Sequence, residues 1–72
     1  MKSKINTQFG LKIVELRKNA GISQDELAFR SEIHRAYMGT IERGEKSVTL
    51  NTIEKIAKGL GVKVKDLFDW ED

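Results

Sequence analysis

The chain has 72 residues, no cysteine, no proline and one histidine. That limits it to one small domain and excludes disulfides, thiolate zinc sites and most enzyme folds. Charged residues make up 33% and hydrophobic residues 39%, a soluble balance, and no apolar run approaches the ~18 residues of a membrane span. The net charge of +2 is unevenly spread: all 13 basic residues precede Asp66, while Asp66, Asp69, Glu71 and Asp72 crowd the end. A basic body with an acidic tail points to a polyanion partner and one region kept off it. No signal peptide is visible, so the expected compartment is the cytoplasm. Chains below about 70–80 residues usually need staples, so stability is expected from a helical core and from dimerisation.

A first helix is predicted from about Thr7 to Ala20, with Phe9, Ile13, Leu16 and Ala20 on one face. Arg17 and Lys18 suit its C-terminal dipole, and Gly21 its left-handed end. The second helix opens on Ser23-Gln24-Asp25-Glu26, a capping box in which Ser23 caps a free N–H and Glu26 reaches back. It buries Leu27 and Ala28, leaves Phe29 outside and ends near Ser31-Glu32. Glycine would be the cheaper residue at Glu32, so strain is expected in that turn.

A third helix runs from about His34 to Arg43. Tyr37, Met38 and Ile41 form its inner stripe, and His34, Arg35, Ala36, Gly39, Thr40 and Arg43 face outward. Thr49 then caps a fourth helix, about Leu50 to Gly59, whose apolar positions are Leu50, Ile53, Ile56, Ala57 and Leu60. A short fifth helix fits Val64 to Phe68, since Val62-Lys63-Val64-Lys65 has no strand to pair with. Short turns make consecutive helices neighbours, giving a compact all-α domain over residues 1–72.

The informative stretch is Ser23 to Gly44, about residues 23–43 of which read as two helices joined by a tight turn. The major groove of B-DNA admits one α-helix, whose outer face needs hydrogen-bond donors and small residues. Arg35, Ala36 and Thr40 outside, with Met38 and Ile41 inside, meet that need. A lone His34 offers neither a metal site nor a catalytic dyad. Gly59-Leu60-Gly61 lacks the strand context of a nucleotide loop. No cofactor, metal or catalytic residue is expected, and the chain reads as non-enzymatic.

The segments Leu16-Arg17-Lys18, Gly21-Ile22-Ser23-Gln24, Glu26-Leu27-Ala28, Tyr37-Met38, Ile41-Glu42-Arg43-Gly44, and Leu50 through Ile53-Glu54-Lys55-Ile56-Ala57 to Leu60-Gly61-Val62 resemble the Cro/repressor-type helix-turn-helix family. The resemblance covers about residues 8–68. Within that family, His34-Arg35, Tyr37, Gly39 and Ile41-Glu42-Arg43-Gly44 are most similar to the controller proteins of restriction–modification systems. This implies a five-helix, lambda-repressor-like domain acting as a sequence-specific transcription regulator. It would bind a palindromic double-stranded DNA operator as a homodimer, with no small-molecule effector and no membrane. An antitoxin that also binds a toxin is the rival reading.

Site roles follow from the resemblance together with the chemistry of each residue. Arg35 is the leading base reader, through a bidentate contact to guanine, with a phosphate contact as its alternative. Ala36 and Thr40 are further base-contact candidates, or bystanders. Gln24, His34, Tyr37, Arg43, Lys46 and Ser47 are candidates for phosphate contacts; His34 is alternatively an imperfect cap and Tyr37 mainly a packing residue. The resemblance implies an internal ion pair between Arg17 and Glu42. Gly39 is explained equally by close approach to DNA or by close packing. Dimerisation is assigned to helices over about residues 50–70, with Leu60, Val62, Val64, Leu67, Phe68 and Trp70 at the interface; Trp70 is alternatively a cap on the monomer core.

Overall fold

A computed structural model describes residues 3–71. Asp72 of the acidic tail lies outside the described residues. Four α-helices follow one another: α1 (Lys4–Asn19), α2 (Gln24–Arg30), α3 (Arg35–Glu42) and α4 (Leu50–Leu60). A 3₁₀ helix, Val64–Phe68, completes the chain, and the described residues contain no strand. The fifth helix is therefore a 3₁₀ turn. Its start is capped by Asp66, whose carboxylate accepts from the Lys63 N–H at 2.9 Å. Part of the acidic tail thus has a local backbone role.

Capping residues set the helix starts. Ser3 accepts from the Asn6 N–H at 3.1 Å, so α1 begins three residues before the expected Thr7. Ser23 accepts from the Glu26 N–H at 3.0 Å and Thr49 from the Thr52 N–H at 3.1 Å. Only half of the capping box at Ser23 forms, because the Glu26 carboxylate turns forward to Arg30 Nε at 2.8 Å. An i,i+4 ion pair on an exposed face has displaced the backward reach.

All four α-helices end in the same paired backbone motif, a left-handed residue followed by a chain reversal. Gly44 closes α3 this way at φ +74°, with its own N–H on the Ile41 carbonyl and that of Glu45 on Thr40. In α2 the same position is Glu32, at φ +56°. It is the only non-glycine residue with positive φ among the described residues, in the turn where strain is expected. The Ile33 N–H still reaches the Ala28 carbonyl at 2.9 Å, and burial of Ile33 against the core offsets the backbone cost.

The core is a single cluster of Phe9, Ile13, Leu27, Ala28, Met38, Ile41, Ile53, Ile56, Ala57 and Leu67. In it α1 packs on α3 and α2 on α4, with the 3₁₀ helix closing the end against α1 and α4. Two glycines set the closest approaches. Gly10 of α1 lies under the Ile41 and Glu42 carbonyls, and Gly59 of α4 under Ser31 and Leu27. Ser31 is fully buried there, and its hydroxyl has no hydrogen-bond partner.

Three placements are corrected. Ala20 is the exposed C-cap of α1 and does not extend its buried stripe. Leu50, in the first turn of α4, is 83% exposed because it lies beyond the edge of the core. Leu67 is fully buried in this chain's own core, so it has no surface left for a second chain.

Candidate nucleic-acid interface

Helix α3 is anchored from below. Met38 and Ile41 are fully buried and Tyr37 packs half-buried beside them, which fixes the rotation of the helix about its axis. Arg35 and Ala36 consequently stand exposed on the opposite side, and Thr40 at its edge. His34 is the N-cap: its Nδ1 accepts from the Ala36 N–H at 3.2 Å. That bond needs an unprotonated Nδ1 and leaves the Nε2 proton facing outward. The Thr40 hydroxyl donates to the Tyr37 carbonyl at 2.7 Å, so its oxygen offers only lone pairs to an outside group.

A polar network braces α3 from the side. Glu42 accepts from Arg17 Nε at 2.8 Å and Nη2 at 3.2 Å, while Arg17 Nη1 donates to the Ile22 carbonyl at 3.1 Å. The bidentate pair joins α1 to the end of α3 and also holds the turn that precedes α2. Gln24 adds a third donor, its Nε2 lying 2.9 Å from Glu42 Oε1. Gln24, a candidate for a phosphate contact, is half-buried at the edge of the outer face, with its amide nitrogen bound to Glu42.

Gly39 is buried, not bare. A Cβ built on it would lie 3.1 Å from Arg43 Nη1 and 3.6 Å from Gln24 Oε1. The Arg43 guanidinium lies over the glycine, and Glu45 holds it from the other side at 3.0 Å from Nε. Close side-chain packing is what the missing Cβ permits here. Arg35 approaches Asp25 of α2 at 3.6 Å. In the loop after α3, Lys46 is exposed and Ser47 accepts from Asn6 Nδ2 at 3.1 Å.

These contacts join the start of α2, the outer side of α3 and the 44–49 loop into one continuous surface. It includes Gln24, His34, Arg35, Ala36, Thr40, Arg43, Lys46 and Ser47. The residues predicted for the far end fall elsewhere. Phe68 stacks between Phe9 and Trp70 at centroid distances of 5.2 and 5.9 Å. Val64 is exposed, and Leu60, Val62 and Trp70 are half-buried against the core. Sequence reasoning missed Asn6, Asp25 and Glu45, whose partners on this surface follow no helical spacing.

A helix-turn-helix family model matches residues 13–67. Control protein C.BamHI of Bacillus amyloliquefaciens is 45% identical over 71 residues, covering 97% of this chain and 88% of that protein. The chain belongs to the helix-turn-helix controller proteins. Its fold agrees closely with solved members of the group. The restriction–modification controller protein C.AhdI from Aeromonas hydrophila superposes with a TM-score of 0.89 at 39% identity, over 92% of this chain and all of that one. C.Esp1396I, solved bound to a 19 base pair DNA duplex, gives 0.86 at 31% identity over 93% and 89% of the two chains. As a controller protein the chain is a transcription regulator, a class without enzymatic activity. Among its described residues no helix is long and apolar enough to cross a membrane.

Proposed function

We propose that this controller protein works in the cytoplasm as a homodimer on a palindromic operator, placing α3 of each protomer in the major groove. The observation that carries this is the locked rotation of α3, with Met38 and Ile41 beneath and Arg35, Ala36 and Thr40 outside. Arg35 reads guanine through its two-pronged guanidinium. Thr40, limited to acceptor geometry, suits a base amino group, and Ala36 a thymine methyl. His34 Nε2, Arg43, Lys46 and Ser47 border this face and contact phosphate, as does Tyr37 from its half-buried position. DNA bound to C.Esp1396I supports the reading, since that fold is shared over most of both chains. Two exposed apolar residues, Val64 and Phe68, with Leu60, Val62 and Trp70 beside them, supply the surface for the second protomer. No effector enters this scheme: occupancy follows protein concentration.

Selection of bound duplexes from a random pool tests the model. Two inverted half-sites with centres about 34 Å apart are expected, and any other spacing overturns the dimer geometry. Arg35→Ala should then weaken binding to the selected operator by about 1–3 kcal/mol relative to scrambled DNA.

Gly39→Ala separates stability from binding. Alanine gains up to about 1 kcal/mol in a helix interior, and only the flexible end of Arg43 has to shift by a few tenths of an ångström. The melting temperature should rise by roughly 4–8 °C, while operator affinity falls because Arg43 loses its seat. Calorimetry and a binding titration on the same preparation check both signs.

A further inference from the structure

The loop after α3 is pinned by α1 as well as by its own ends. At its start, Gly44 lies against Thr7: a Cβ there would meet the Thr7 Cα at 2.8 Å and its nitrogen at 3.0 Å. At its end, Val48 packs against the core and Thr49 caps α4. Between these points Ser47 is exposed, and an exposed serine is free to visit three staggered χ1 wells. One bond selects among them. The half-buried Asn6, one residue before Thr7 on α1, donates from Nδ2 to Ser47 Oγ at 3.1 Å. That bond occupies a lone pair of the hydroxyl and leaves its proton for another acceptor. A hydroxyl that already accepts a bond is also polarised into a stronger donor.

We propose that Asn6 is a positioning residue for DNA binding, which holds the Ser47 hydroxyl in the rotamer that donates to a backbone phosphate. This rests on the reading of the 44–49 loop as part of the DNA-binding surface. The bond is kept when DNA arrives, so Asn6 acts by removing rotamers from the free protein and reaches the phosphate only through Ser47. Its effect is the same on every sequence, because every sequence offers the phosphate. The substitution that tests it leaves the start of α1 alone: the Ser3 cap accepts from the backbone N–H of Asn6 and not from its side chain.

Asn6→Leu, Ser47→Ala and the double variant are titrated against the selected operator at several salt concentrations, with a melting curve for each. Asn6→Ala is read alongside as a variant without added bulk and should agree with Asn6→Leu. Freeing one of three wells costs up to about threefold per half-site, so Asn6→Leu should weaken operator binding by about 3- to 10-fold. Ser47→Ala should weaken it by about 10-fold or more, since the hydrogen bond to a charged group is itself lost. In the Ser47→Ala background, Asn6→Leu should have no further effect. The salt dependence should stay as steep as in the parent, because a neutral hydroxyl releases no counterion. Melting temperatures should stay within about 4 °C of the parent, as for an indifferent surface change.

Additive losses would mean that Asn6 touches DNA by itself or acts through the fold, and would overturn the proposal. So would a salt slope shallower by about one per protomer, the sign that the loop has moved and taken Lys46 with it. Unchanged affinity in Asn6→Leu beside a weakened Ser47→Ala overturns the role of Asn6 and leaves Ser47 on phosphate. Unchanged affinity in Ser47→Ala removes the phosphate contact itself, and the proposal falls with it.

Discussion

Glu42→Ala is expected to destabilise the domain by about 3 kcal/mol, the low end of the cost of stranding a buried charge. Its side chain is only 5% exposed and that of Arg17 14%. The substitution removes the acceptor of three donated bonds, two from Arg17 and one from Gln24. Arg17 would keep only the Ile22 carbonyl. A domain of this length has on the order of 4–11 kcal/mol of total stability, so the loss is a large part of the whole. In urea, the midpoint should fall with an unchanged slope. The double variant Arg17→Ala, Glu42→Ala should cost less than the two single losses combined, because the partner is no longer stranded. A Glu42→Ala protein within about 0.5 kcal/mol of the parent, the usual range of an indifferent surface change, would show that the pair does not hold α3 in place. Loss of operator binding should accompany the loss of stability, since the same carboxylate ties α1, Gln24 and the end of α3 together.

What the sequence made legible was mostly local. The Ser23 and Thr49 caps are readable because a cap and its target lie three residues apart. Met38 and Ile41 are readable because a helix repeats. Contacts between elements carry no such signature. Arg17 and Glu42 are 25 positions apart and were reached through family resemblance; Asn6 and Ser47, 41 apart, were not reached at all. Gly39 shows a different limit. Helical spacing places it outward, yet the long side chains of Gln24 and Arg43 fold over it. Spacing describes where a Cα faces and says nothing of what a neighbouring arginine covers. Leu67 was assigned to the interface because a single 3₁₀ turn is too short for periodicity to separate its inner residue from its outer ones.

The same substitution that stabilises α3 at Gly39 should be severely destabilising at Gly10. Both glycines are in helix interiors, where alanine normally gains about 1 kcal/mol. At Gly10, however, a Cβ would lie 2.5 Å from the Ile41 carbonyl oxygen, 2.6 Å from that of Glu42 and 2.9 Å from the Glu42 carbonyl carbon. These are backbone atoms of the last turn of α3, which cannot rotate aside as Arg43 can. Relief requires α1 and α3 to separate by on the order of 1 Å to recover ordinary contact distances of ~3.5 Å. Such overpacking typically costs about 1–3 kcal/mol and sometimes more, and here it exceeds the helix-propensity gain. The separation also draws Glu42 away from Arg17, so strain and the loss of the ion pair fall on the same helix. Gly10→Ala should therefore lower the melting temperature by roughly 12 °C or more, at 4–8 °C per kcal/mol for a domain of this size. Operator affinity should fall even in the fraction that remains folded, because α3 carries Arg35 and its docking angle changes with it. A Gly10→Ala protein as stable as the parent would mean that the close approach of α1 and α3 does not set the position of α3. The contrast with Gly39→Ala makes this a test of geometry rather than composition: two glycine-to-alanine changes in one 72-residue chain, opposite in sign because one faces a movable side chain and the other a fixed carbonyl.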